Sequence, residues 1–236
     1  MLKSVSFDGL DSLRDLGLML RDYPVAAPPD VQMNMIDIPG RDGPLDLSDA
    51  LDGDVHFSAR AYSVTFLCLS PPAQWPEIYS KIQNALHGRR VKIRHSDMPG
   101  FYYVGRLECQ PPDYNLRYWP VEITGTVDPY KYEERDSVGW ENWLWDDFNL
   151  DNDIVRNYNH LEVKGFKSVK IENRRMRVVP TFVSAAEGLH VVFGDMDYKL
   201  PEGASSFPAI RLKEGENTIV FYGVGEVSIV MRGGEL

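Results

Sequence analysis

The 236-residue sequence is poor in cysteine and in positive charge, and each shortage excludes a class of protein. Its two cysteines, Cys68 and Cys109, are too few for a disulfide framework and too widely spaced for a CxxC metal motif. Both occupy apolar positions of predicted strands, so we expect two buried free thiols. The 25 basic residues are outnumbered by 35 acidic ones, which gives a net charge of -10 and a pI near 5.0. This balance disfavours a surface that grips nucleic acid or an anionic membrane.

Long apolar runs are missing too. Charged side chains interrupt the first twenty residues, which therefore lack the apolar core of a signal peptide. No segment approaches the ~18 consecutive apolar residues that a membrane-spanning helix needs. We expect a protein that folds in a reducing cytoplasm.

The usual motifs of catalysis and metal binding do not occur. The five histidines show neither HxH nor HExxH spacing, and there is no GxSxG sequence. The Gly223-Val224-Gly225 stretch lacks the third glycine and the following helix of a dinucleotide-binding fingerprint, so we interpret it as a hairpin turn. The sequence therefore predicts a protein that is not an enzyme, with no catalytic residue, no cofactor and no metal.

One acidic segment partly imitates a calcium-binding loop. Oxygen-bearing side chains stand at its first, third, fifth and seventh positions: Asp147, Asn149, Asp151 and Asp153. However, position 6 is Asn152 instead of glycine, and position 12 is Tyr158 instead of a bidentate glutamate. We favour a solvated acidic linker over a calcium site.

Apolar and polar residues alternate along several segments, which predicts strands at 62–68, 101–109, 121–127 and 227–231. One segment differs, because Ile78, Ile82 and Leu86 recur at helical spacing within 76–87. Proline 76 suits a first helical turn and Gly88 a left-handed cap, so we predict one short helix that packs on a sheet. The expected fold class is mainly β with one short helix.

Turn signals are dense, as short antiparallel strands require. Gly40, Arg41, Asp42 and Gly43 form a predicted reversal that needs a positive φ at one glycine, with Pro39 fixing the entry angle. A second predicted turn, at 213–217, would join 210–212 to 219–221 as a hairpin.

Composition changes after residue 133, where we place a domain boundary. We expect an N-terminal domain at 1–133, a linker at 134–159 and a C-terminal domain at 160–236. Within the first domain, residues 1–54 hold 11 acidic and 4 basic groups, a local net charge of -7.

The predicted linker is rich in aromatic residues, namely Trp140, Trp143, Trp145 and Phe148. These residues suit anchors that fix the linker to a domain or to a neighbouring subunit, because they bury large apolar areas. Aromatic faces also bind sugars, so a carbohydrate-stacking role remains an alternative.

The segments also resemble, in order, the distal tail proteins of long-tailed phages and prophages of Gram-positive bacteria. The resemblance rests on VSFDGLDSLRDLGLML, IPGRDGPLDLS, HFSARAYSVTFLC, WPEIYSKIQNALHG, MPGFYYVGRLE and DPYKYE in the first part. The second part, from WENWLWDDF to GENTIVFYGVGEVSIVMRGGEL, is similar to the C-terminal half of prophage versions.

The resemblance implies a structural hub protein of the virion tail, assembled in the bacterial host cytoplasm. Its N-terminal part would form a hexameric ring between the tail tube and the tail tip or baseplate, around a central channel for DNA. Its C-terminal part would be a galectin-like β-sandwich outside the ring. An acidic protein suits such a conduit, because phosphate-binding walls would retard the DNA.

Two other functions remain open at this point. The galectin-like half would bind host glycan in a carbohydrate-binding, host-recognition module of a phage tail, although 160–236 contain no tryptophan. A cell-wall hydrolase is the third hypothesis, which zymography would test.

Overall fold

The structure is a computed structural model that describes residues 3–50, 53–112, 118–134 and 157–236. The fold is mainly β with one short helix, which confirms the predicted fold class. The chain forms two compact units, Met1–Met98 with Tyr102–Pro129 and Pro99–Phe101 with Tyr130–Leu236.

The first unit is built on antiparallel strands. They are β1 (Val5–Phe7), β2 (Leu10–Asp11), β3 (Leu18–Ala26), β4 (Met35–Ile36), β5 (Leu45–Asp46), β6 (Arg60–Cys68), β7 (Arg90–His95), β8 (Phe101–Cys109) and β9 (Pro120–Val127). Seven of them pair in the order β2-β1-β7-β8-β9-β6-β3, whereas β4 and β5 form a separate ribbon.

Period-two alternation determines which face of this sheet is buried. In β6, Tyr62, Val64 and Phe66 are buried, whereas the intervening residues point outward. The predicted strands at 62–68, 101–109 and 121–127 are thus confirmed as β6, β8 and β9.

The helix α1 (Trp75–Leu86) follows a 3₁₀ turn at Pro72–Gln74, and the helix predicted at 76–87 is confirmed. Gly88 ends it with a φ of 71°, the left-handed conformation expected of a cap. Ile82 and Leu86 are buried in the same core as the strands, each contributing about 1.5–3 kcal/mol. Among the described residues, no helix is long and apolar enough to cross a membrane.

The second unit contains eight further strands among its described residues. They are β10 (Lys131–Glu133), β11 (Leu161–Asn173), β12 (Thr181–Ser184), β13 (His190–Phe193), β14 (Met196–Lys199), β15 (Gly203–Ser206), β16 (Gly215–Val230) and β17 (Gly234–Glu235). Because β10 pairs with β17, the second unit begins earlier in the chain than the boundary expected after residue 133.

The long strand β16 organises the second unit. One of its edges pairs with β11 over Leu161–Asn173, while the other pairs first with β13 and then with β12. The sheet order is β14-β13-β16-β12-β15, and β11 pairs with the edge of β16 opposite to β13 and β12. Its buried face carries Ile219, Phe221 and Val227.

Two turn predictions in this unit are wrong. Gly223-Val224-Gly225 is no hairpin turn but lies inside β16, where a methyl group on Gly223 would lie 2.7 Å from the Gly188 carbonyl oxygen. Glycine is needed there because the chain at Gly188 approaches the strand so closely. The predicted hairpin of 210–212 with 219–221 is also wrong, since Ile219 pairs with Val169 of β11.

Candidate assembly surface

The chain between β3 and β6 leaves the sheet as an irregular hairpin, which we call the arm (residues 27–59). Its two limbs are joined by backbone hydrogen bonds, from Ser58 N–H to Asp30 O at 2.8 Å and from Gln32 N–H to His56 O at 2.9 Å. Farther out, Met35 pairs with Asp46 and Ile36 with Leu45. The arm is thus a ribbon of two limbs.

No described residue of the arm is buried, and every residue from 31 to 44 is exposed. Five of these residues are large and apolar: Val31, Met33, Met35, Ile36 and Ile38. Met33 is the most exposed of the five, with 68% of its surface accessible to solvent. Because Met35 and Ile36 are neighbours in a strand, their side chains point to opposite faces of the ribbon. An isolated two-stranded ribbon with apolar groups on both faces is marginally stable in water and indicates a surface that a partner covers.

The tip of the arm contains the predicted reversal. Arg41 donates its N–H to Ile38 O at 3.1 Å, which closes a four-residue turn with Pro39 in second place. Gly40 follows Pro39 with a φ of 84°, as a type II turn requires. Gly43 also has a positive φ, of 75°. The sequence predicted a positive φ at one of these two glycines, and both have it.

The arm is strongly acidic. Its sequence contains seven aspartates and a single basic residue, Arg41. Asp46 accepts hydrogen bonds from the Ser48 hydroxyl and N–H, which lower the pKa of this carboxyl group. The arm therefore presents negative charge together with its apolar side chains.

A second surface of the same unit carries the opposite charge. Along β7, Val91 and Ile93 are buried, so Arg90, Lys92 and Arg94 point to the outer face, where Arg106 of β8 lies directly opposite Arg90. We call these four cations the basic face. Like charges directly opposite each other on neighbouring strands destabilise a sheet.

Local contacts offset repulsion among these cations, and Arg106 donates a hydrogen bond to the Gly88 carbonyl oxygen. The Arg90 guanidinium lies 2.5 Å from an Asp128 carboxylate oxygen. Lys92 and Arg94 lie over the buried Tyr102 ring, at 4.8 and 5.8 Å from its centroid. The basic face is therefore suited to an acidic partner.

A buried polar cluster lies on the inner side of this sheet. The Tyr62 hydroxyl lies 2.9 Å from His95 Nε2. Burial raises the pKa of Tyr62 and lowers the pKa of His95 to about 4, so a neutral phenol donates to a neutral imidazole. The Arg60 guanidinium lies 4.9 Å from the Tyr103 ring centroid. This cluster is closed to solvent, and we assign it to packing.

The remaining predicted residues fall into two groups. Trp140, Trp143, Trp145 and Phe148, like the acidic loop at 147–153, lie outside the described residues. Cys68 and Cys109 are buried and free, as predicted, and burial raises the pKa of Cys109 to about 11. Within the described part of the chain, no group of three or more His, Cys, Asp or Glu side chains is arranged to hold a metal ion.

Sequence reasoning missed both the arm and the basic face. The RVKIRH segment does carry a signal, because basic residues alternate with apolar ones along 90–95 and so predict a strand with one cationic face. The MNMI segment at 33–36 carries none, because its apolar residues suit a buried strand equally well.

The chain is similar to a solved structure of a phage protein. No protein-family model matches the chain, and no curated protein matches it. The crystal structure of SPP1 Dit (gp 19.1), a paradigm of the hub adsorption apparatus in phages that infect Gram-positive bacteria, is similar with a TM-score of 0.60 and 15% sequence identity. The similarity covers 100% of both chains, so this chain shares the fold of a phage hub protein.

Proposed function

We propose that this chain is a distal tail protein, which forms a hexameric hub ring in a phage or prophage tail of Gram-positive hosts. The observation that carries the proposal is a fold shared with a phage hub protein over the whole of both chains. This fold supports a structural role in the tail, and the ordered motifs of the sequence support the same family.

In this proposal, the first unit builds the ring, the linker occupies 134–159, and residues 160–236 form a galectin-like domain on its outside. The ring joins the tail tube to the tail tip or baseplate. DNA passes through its channel without specific binding, which the net charge of -10 favours. Neither catalysis nor a cofactor is required.

The arm and the basic face supply the ring contact. A closed ring needs two different, complementary surfaces on each subunit. The arm is acidic and apolar, whereas the basic face carries four cations, of which Arg90 and Arg106 lie directly opposite each other. The arm of one copy therefore docks against the basic face of the next copy.

Docking also covers the apolar side chains of the arm. Burying the exposed part of each of its five large apolar residues stabilises the contact by about 1 kcal/mol, since they start roughly half exposed. The charges mainly fix the register and speed association, so ring formation should weaken as salt rises.

Native mass spectrometry of the full chain, with negative-stain microscopy, tests the proposal. We expect a discrete six-subunit species with a central hole. Reversing charge on the arm (Asp37→Lys with Asp42→Lys) or on the basic face (Lys92→Glu with Arg106→Glu) should shift the protein towards monomer. Combining all four substitutions should recover part of the ring, because the two reversed charges on the arm can attract the two reversed charges on the basic face.

A matched control reverses two charges far from both surfaces in sequence, with Asp195→Lys and Glu202→Lys in the second unit, and should leave the ring unchanged. A chain that stays monomeric at all concentrations would overturn the hub proposal. If the ring forms equally well after the charge reversals on the arm and on the basic face, the hub proposal stands, but the proposed contact between these two surfaces is wrong.

A further inference from the structure

The second unit leaves an aromatic row exposed on its outer sheet face. Phe166 of β11 lies directly opposite Tyr222 of β16, which lies opposite His190 of β13, which in turn lies opposite Lys199 of β14. Directly opposed residues share one face of a sheet, so the four side chains form a row across four strands. At about 4.8 Å per strand, the row spans about 14 Å.

The aromatic end of the row is open to solvent. Phe166 is 59% exposed and Tyr222 46%, and their rings meet edge to face with centroids 5.4 Å apart. Val224, two residues along the same face, is 75% exposed. By contrast, Phe182 and Phe221 of the same unit are fully buried. Phe166 and Tyr222 are thus an exposed aromatic pair in a unit whose core contains Phe182 and Phe221.

The polar end of the row offers hydrogen-bonding groups. His190 Nδ1 lies 3.0 Å from an Asp197 carboxylate oxygen, which fixes the orientation of the imidazole ring. The other ring nitrogen, Nε2, is not used in this contact, and Tyr222 is the directly opposed residue on the neighbouring strand. Lys199, exposed next to His190, adds a donor.

Charges around the row nearly balance. Lys164 and Lys199 are the cations, whereas Glu162, Asp197 and Glu226 are the anions. Lys164 Nζ lies 2.7 Å from Glu162 Oε1, and His160 Nδ1 lies 2.6 Å from Glu226 Oε1. A polyanion such as nucleic acid would meet these carboxylates, so the row suits an uncharged ligand.

From this arrangement we infer that the row Phe166–Tyr222–His190–Lys199 is a binding site for a neutral glycan chain. Pyranose rings present apolar faces that stack on aromatic side chains, and hydroxyl groups that bond to imidazole, phenol, carboxylate and ammonium groups. Phe166 and Tyr222 supply the stacking surface, while His190, Asp197 and Lys199 supply the hydrogen bonds.

The size of the patch favours a glycan over a protein. Three partly exposed apolar side chains offer on the order of 300 Å², whereas a standard protein interface buries about 800 Å² on each partner. The site does not depend on the ring, so the hub proposal stands or falls separately.

Binding of the full chain to a fixed panel tests the site. The panel consists of neutral wall polysaccharide purified from several Gram-positive species, and of glucose, galactose, rhamnose and N-acetylglucosamine at tens of millimolar. Saturation-transfer NMR detects the weak sugars and co-sedimentation the polysaccharides. We expect at least one member to bind, with the signal on its ring protons.

Four variants locate the site. Phe166→Ala and Tyr222→Ala should each weaken binding at least tenfold, and His190→Ala several-fold, whereas Tyr222→Phe should retain most of it because the ring remains. Tyr23→Ala, at an exposed tyrosine of the first unit, is the matched control and should bind like the parent. Circular dichroism checks that every variant is folded.

Three results would overturn the inference. The first is that no member of the panel binds the parent. The second is binding that survives both Phe166→Ala and Tyr222→Ala, which would point to another site such as the linker tryptophans. The third is capture of a purified tail protein through this row, without any sugar binding.

Discussion

A buried methyl group at Gly105 should separate β8 from β9. Gly105 lies opposite Val127, and a methyl group built on it would lie 2.4 Å from the Thr126 carbonyl oxygen and 2.6 Å from the Val127 Cα atom. Both obstacles are backbone atoms of the neighbouring strand, so no side-chain rotation relieves the clash. Gly105→Ala must therefore push the two strands apart.

The expected cost follows from what the strands lose. Overpacking a core costs about 1–3 kcal/mol, and each weakened ladder hydrogen bond adds about 1 kcal/mol. We expect Gly105→Ala to lower the free energy of unfolding by about 3 kcal/mol. For a unit of this size, the loss corresponds to a fall in Tm of about 10 °C.

Gly40→Ala at the arm tip is the matched control. A methyl group on Gly40 meets nothing within 4 Å, so only its positive φ of 84° is strained, by about 1 kcal/mol. Thermal unfolding and hydrogen exchange of the β8 and β9 peptides measure the difference. The close approach of the strands is refuted if two results are obtained together. Gly105→Ala would have the same Tm as Gly40→Ala, and its β8 amides would be as protected from hydrogen exchange as those of the parent.

Three further predictions concern buried polar groups. Burial lowers the pKa of His95 from 6.5 to about 4, so the unfolded chain takes up a proton at a higher pH than the folded chain, and stability falls as the pH drops through this window. Between pH 7 and pH 5 the free energy of unfolding measured by urea titration should fall by about 2 kcal/mol, and His95→Gln should remove this pH dependence. Cys68 and Cys109 should not react with a thiol reagent until guanidinium unfolds the chain, because burial raises the pKa of both, and rapid native reaction would contradict that burial. Asn217→Ala should destabilise the second unit by about 1–3 kcal/mol, because the buried Asn217 side chain accepts a hydrogen bond from Lys213 N–H and donates to Lys213 O and Gly215 O. An unchanged urea midpoint would show that water replaces these hydrogen bonds.

Local patterns predicted the strands and the helix of the first unit because burial there has a simple period. In β6, β8 and β9 one face is buried and the other is not, so alternation in the sequence maps directly onto the sheet. Helix α1 has helical spacing, a proline at its start and a glycine after its end. These signals all lie within a few residues of the element they predict.

The pairing of β16 was beyond such reasoning. Glycines inside a strand and glycines in a turn are identical in sequence, and here close contact with Gly188 decides between them. Likewise, 219–221 alternate as a strand in either arrangement, but their partners are the distant β11 and β13. Long-range pairing is set by the whole core, which a local pattern does not contain.

The two units differ in how completely each satisfies its own surface. On the outer sheet face of the second unit, cations and anions lie side by side, as Lys164 with Glu162 and Lys170 with Glu216 show, and the exposed aromatic patch is small. In the first unit, Arg90 and Arg106 oppose each other, and the arm exposes apolar side chains on both faces of a ribbon. A surface with unbalanced charge and uncovered apolar groups gains free energy when a complementary copy binds, whereas a balanced surface gains little. Self-association should therefore be driven by the first unit, and the outer sheet face of the second unit should remain available for ligands.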